Sequence, residues 1–157
     1  MVKFSEVANS LHASDIREIL KVTENPEIIS FAGGLPAPEL FPVEDMKKVD
    51  VAILEKEGRQ ALQYSTTEGY VPLRKHIAER MKSAFQTDCS YEDIIITAGS
   101  QQGLSLLGNI FLNKDDIVLV ESPTYMGATT AFNVKFPQFV EVPTDDKGMI
   151  PEELDKI

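Results

Sequence analysis

Three side chains in this sequence have the types and spacing to hold a flat, phosphorylated small molecule. Ser100 and Gln101 follow Gly99, and Tyr125 follows Pro123. A hydroxyl and an amide beside the free N–H groups of a helix start form a seat for an anion, most often a phosphate. An aromatic ring at the same sheet edge adds a stacking surface. Ser100 also reads as a plain helix cap, because serine is favoured there. Gln101 and Gln102 have no capping role at those positions, and Gly103 lowers helix propensity. Both points favour binding.

Such a site requires a strand, a turn, a helix and a second strand. The β-branched run 94–97 predicts a short buried strand that Gly99 breaks. Ser100 then caps a helix whose Leu104, Leu107, Ile110 and Phe111 share one face. The run 117–120 predicts the next strand, and Pro123 sets Tyr125 just beyond it. Ligands of open α/β sheets bind at the carboxyl ends of strands.

Composition limits the partners. The 157 residues predict one domain, with 43% hydrophobic and 25% charged residues, an ordinary globular make-up. Acidic residues outnumber basic ones 25 to 15, for a formal charge of -10. That excludes nucleic acid and anionic membrane surfaces as partners, since both call for basic patches. Local donors can still hold a phosphate, because screening removes the influence of distant acids. Cys89 is the single cysteine, and His12 and His76 are the only histidines, so neither a disulfide framework nor a metal set is expected. No signal peptide and no membrane-spanning run is seen, which predicts a cytoplasmic protein.

The remaining elements follow in order. Residues 14–20 predict an amphipathic helix, with Arg17 off its apolar stripe and so readable as a solvated arginine. The Gly/Pro loop around Gly34 carries Leu35, Leu40 and Phe41, which call for burial. Residues 43–57 predict a helix ended by Gly58. Tyr64 reads as a half-buried packing residue ahead of a polar loop. Pro72 opens a helix with Leu73, Ile77, Met81 and Phe85 as its buried stripe. Residues 127–134 predict a helix, 138–142 a third strand, 143–148 a turn, and Pro151 a further helix start.

The run Ala98-Gly99-Ser100-Gln101-Gln102-Gly103, followed by Glu121-Ser122-Pro123-Thr124-Tyr125, resembles the pyridoxal-phosphate-dependent aminotransferases of fold type I. It is most similar to the branch holding kynurenine/2-aminoadipate and multi-substrate bacterial enzymes. Ser30-Phe31-Ala32-Gly33-Gly34-Leu35-Pro36, Gln63-Tyr64-Ser65 with Gly69, and Leu73-Arg74 agree in order. The resemblance implies an α/β fold: an N-terminal arm plus the first part of the large domain, an incomplete, mostly parallel sheet with flanking helices. It places the arm and the start of the small domain in residues 1–70, and the first part of the cofactor domain in 71–157.

The same resemblance implies site roles. Pyridoxal 5'-phosphate would be held by Gly99, Ser100 and Gln101 at its phosphate and by Tyr125 at its ring. Tyr64 would reach the partner's cofactor across a homodimer, with Tyr70 a rival for that role. Gly34 and Arg17 would border an amino acid or 2-oxo acid substrate. No catalytic residue is implied here, since the Schiff-base lysine of the family comes later than the matched part. The chain is therefore expected to bind the cofactor weakly and to be inactive alone. It is also expected to expose the edges of strand 94–97, leading to oligomerisation or a rearranged sheet. Two other readings are the effector domain of a pyridoxal-phosphate-responsive transcription regulator and a stand-alone phosphate-binding α/β module. An acidic chain without a basic DNA-binding segment counts against the first.

Overall fold

The computed structural model describes residues 2–10, 25, 27–31 and 34–157. The predicted helix at 14–20, with Arg17, lies outside the described residues, as does His12. Two compact units divide the chain, one ending at Tyr64 and the other running from Ser65 to Ile157. Among the described residues no helix is long and apolar enough to cross a membrane, and no cluster of metal-ligating side chains is found.

The first unit is helical. A short helix α1 spans Glu6–Ser10, a 3-10 turn Pro38–Leu40, and a long helix α2 Val43–Ala61. Glu44 and Asp45 in the first turn of α2 suit the positive end of its dipole. The helix does not stop at Gly58. It continues to Ala61 past a kink at Glu57, where φ is -133°. Leu35, Leu40 and Phe41, expected to be buried, are exposed. Tyr64, expected to be half-buried, is fully exposed.

The second unit packs helices on a small sheet. Helix α3 spans Val71–Phe85 and a 3-10 turn Tyr91–Asp93. Helix α4 spans Ser100–Phe111, strand β1 Ile117–Ser122 and helix α5 Met126–Asn133. Strand β2 spans Gln138–Asp145, β3 Gly148–Met149 and helix α6 Pro151–Leu154. Strand β1 pairs in parallel with β2 from Ile117↔Gln138 to Ser122↔Pro143. The end of β2 turns back on β3 as an antiparallel hairpin at Thr144↔Met149. The turn predicted over 143–148 is therefore shorter, because β2 itself runs to Asp145. Val120, Ala131 and Val142 form the buried apolar core of this unit, with Val142 fully enclosed.

Two sequence expectations fail here for physical reasons. Residues 94–97 are extended, with Ile94 at φ -111° and ψ 129°, but they join no strand ladder. A β-branched run favours an extended backbone and does not supply a partner strand. The segment is held instead by Ile96, whose N–H donates to the Glu68 carbonyl at 2.9 Å. Gly69, at φ +100°, makes that approach: a Cβ there would fall 2.6 Å from Ile96 Cγ1. The face of α4 expected to be buried is largely open as well, with Leu107, Ile110 and Phe111 exposed.

Helix α3 departs in a third way. Leu73 and Phe85 of its predicted stripe are exposed, while the charged Arg74 is 6% accessible. Its Nε donates to the Tyr91 carbonyl at 3.1 Å, and its guanidinium stands 5.5 Å from the Tyr91 ring centroid. A planar guanidinium can bond in its plane and stack on its face at once. Arg74 thereby fastens the 3-10 turn that leads into 94–97 and the start of α4.

Candidate functional site

The start of α4 presents backbone donors at an open turn. Gly99 is the N-cap, at φ +85° and ψ 168°, and Ser100 is the first helical residue rather than the cap. Only glycine takes that φ without strain, and the space beside its Cα is open to 4 Å. The first N–H groups of a helix have no intrahelical acceptor. Those of Ser100 and Gln101 meet no other acceptor among the described residues. The exposed Ser100 hydroxyl stands beside them.

The two glutamines have distinct duties. Gln102 Oε1 accepts from the Ala98 N–H. It thus satisfies a backbone donor at the turn, a capping-type role that its position in the sequence did not suggest. Gln101 Nε2 donates to the Gly127 carbonyl at 3.0 Å, so its side chain braces α4 against α5. Its contribution to an anion is then chiefly its backbone N–H. Thr97 Oγ1 adds a bond to the Gly99 carbonyl at 3.1 Å.

Tyr125 is the N-cap of α5 and is 64% exposed. Its ring lies across Gly127, where an added Cβ would overlap the ring carbons and hydroxyl. The loop that carries it is anchored on β2. Thr144 Oγ1 donates to the Ser122 carbonyl and Ser122 Oγ donates to Glu141 Oε2, both at 2.9 Å. Helices α4 and α5 meet closely further along, where a Cβ at Gly108 would come within 3.0 Å of the Phe132 ring. Gln101 and Tyr125, 24 positions apart in sequence, are therefore both seated on Gly127.

The charge pattern suits an anion. The chain carries a net -10, yet no Asp or Glu occurs from Ile94 to Asn113 or from Pro123 to Gln138. Both helix starts stand in acid-free stretches, so their dipoles are not opposed by a carboxylate in the same stretch. This signal is present in the sequence and was missed, because attention to the total charge hides it. Gly127 and Arg74 were also missed as contributors. Gly34 has φ +55° and nothing within 4 Å of a Cβ position. It and Tyr64 lie in the first unit.

A family model for aminotransferase class I and II matches residues 29–156. The chain belongs to this aminotransferase family. A related aromatic-amino-acid aminotransferase of Thermococcus litoralis is 51% identical over 146 residues, which is 93% of this chain and 35% of that one. A kynurenine aminotransferase of Pyrococcus horikoshii, solved in complex with PMP, superposes with a TM-score of 0.89. It is 46% identical over 98% of this chain and 38% of its own. The α-aminoadipate aminotransferase LysN of Thermus thermophilus, solved with N-(5'-phosphopyridoxyl)-L-leucine, gives a TM-score of 0.83. Its identity is 45%, over 98% of this chain and 36% of its own. The aminotransferase chain described by this sequence thus spans about a third of the length of the relatives it matches.

Proposed function

We propose that this chain supplies the phosphate seat and ring platform for pyridoxal phosphate in an enzyme that transfers an amino group from an amino acid to a 2-oxo acid. The observation that carries the reading is the start of α4: unpaired N–H donors at Ser100 and Gln101, the Ser100 hydroxyl, and the Tyr125 ring bound to the same support. The donors match the chemistry of a phosphate, and the open space beside Gly99 admits one. Ser100 and the backbone of Gln101 would hold the phosphate, and Tyr125 would lie against the ring. When bound, pyridoxal phosphate supplies the electron sink that amino-group chemistry requires.

The names of the relatives point to aromatic and 2-aminoadipate side chains as the substrate class. Within the same reading, Tyr64 acts in trans across a homodimer, Gly34 and Arg17 border the substrate, and the protein works in the cytoplasm. The exposure of Tyr64 supports a role outside its own unit. No lysine occurs in residues 94–103 or 122–130, which form the seat. The chain spans about a third of its relatives' length, and the family's Schiff-base lysine comes later than the matched part, so these 157 residues are expected to turn over no amino acid by themselves.

Equilibrium dialysis tests the binding claim. Pyridoxal phosphate is expected to bind the chain with a Kd between about 1 μM and 1 mM. Each charge-assisted hydrogen bond to the phosphate is worth about 1.5–3 kcal/mol, so pyridoxal without phosphate should bind at least about tenfold more weakly. Equal affinity for the two would remove the phosphate seat from the reading. Turnover of any amino acid with 2-oxoglutarate by the purified chain would overturn the claim of inactivity.

A further inference from the structure

Gly127 sits at the second position of α5 with an ordinary helical backbone, since it is not among the positive-φ glycines. Alanine is the better helix former there, so the backbone does not call for glycine. The surroundings do. A Cβ at Gly127 would overlap Tyr125 Cζ, Cε1 and the hydroxyl oxygen. By contrast, a Cβ at Gly103 in α4 would meet nothing nearer than Thr97 Oγ1 at 3.9 Å. The carbonyl of the same Gly127 accepts the Gln101 side-chain amide at 3.0 Å. A bare Cα under the ring and a carbonyl under the amide make one residue the common support of the stacking surface and the anion seat.

We propose that Gly127 is a positioning residue. It fixes the plane of the Tyr125 ring and, through its carbonyl, the spacing between that ring and the start of α4. Its binding consequence rests on the cofactor reading above; its effect on the ring does not. A side chain at this position swings the ring out of the plane in which it meets a ligand seated at Ser100.

Two measurements on the full chain test the proposal. Nuclear Overhauser contacts from the Gly127 Hα protons to the Tyr125 ring protons are expected in the unliganded wild type. Their absence would overturn the proposal whether or not any variant folds. Equilibrium dialysis with pyridoxal phosphate is then run as a double-mutant cycle. Gly127→Ala is expected to weaken binding by about two- to tenfold, the range of a lost aromatic contact. In a Tyr125→Ala background the same change should add nothing, because the ring it displaces is gone. Unchanged affinity in Gly127→Ala, or an equal loss without Tyr125, would give Gly127 no positioning role. Failure of the wild type to bind pyridoxal phosphate would sink the cofactor reading, while the proton contacts would still decide the placement of the ring.

Discussion

Helix α2 and helix α4 were both expected as helices and both form, yet they sit in different settings. Within the first unit, α2 leaves Val43, Met46, Leu54 and their neighbours exposed, and none of its residues is buried. Its ion pairs, Lys47–Glu44 and Lys48–Asp45, lie within one turn of the helix itself. Helix α4 also exposes apolar side chains, but it is tied to the rest of its unit by the Gln101–Gly127 bond and by Gly108 against Phe132. The difference teaches that an apolar stripe becomes a core only where the topology brings another element to it. In this chain α5 comes to α4 where the Phe132 ring meets Gly108.

That contrast can be broken by mutation. The largest effect is expected at Val142 of β2, which is fully buried. Val142→Asp buries a charge with no partner, a loss of about 4 kcal/mol or more. Leu54→Asp on the exposed face of α2 should cost less than about 1 kcal/mol. Urea unfolding of both variants checks this, and similar midpoints would show that the two regions do not differ as described.

A smaller effect is expected at Arg74. Replacing it with alanine leaves the Tyr91 carbonyl with only the Ile94 N–H at 3.3 Å and removes the guanidinium over the Tyr91 ring, for about 1–2 kcal/mol. Arg74→Lys should recover only part of that, since an ammonium cannot bond and stack in one plane. Full recovery by lysine in thermal unfolding would reduce Arg74 to a simple charge. The smallest effect belongs to Lys48→Ala, because both partners of its ion pair are about three-quarters exposed. A surface pair of this kind is worth less than about 0.5 kcal/mol, and the shift should vanish in high salt. A larger loss would mean that α2 depends on its own surface after all.

Much of this was legible from the residues. The runs behind β1 and β2 and the helix after Pro123 lie within a few positions of their predicted places, because β-branched runs and Gly/Pro breaks report local backbone preference. The helix start at Gly99 and Ser100 was legible for the same reason: a glycine after an extended run commonly marks a helix cap. What the sequence hid depends on contacts between distant positions. Residues 94–97 are extended as their side chains prefer, but only the Glu68 carbonyl and Gly69 say what holds them. Arg74 stood in the sequence only as part of the Leu73-Arg74 motif, and its burial against Tyr91 depends on a residue 17 positions away. Gly127 was only the first residue of a predicted helix, and the ring of Tyr125 lying on it shows in the structure alone.

The Gln101–Gly127 bond also closes a ring of chain. It spans 26 positions, and α4, the turn at Lys114–Asp115 and β1 all lie inside it. The entropy of closing such a ring grows only with the logarithm of its length. A dozen residues inserted at the exposed turn would lengthen the ring by under half and raise the closure cost by only about 0.3 kcal/mol. The turn opposite the seat is thus a place where the chain can grow in length while the two ends of the ring stay clasped.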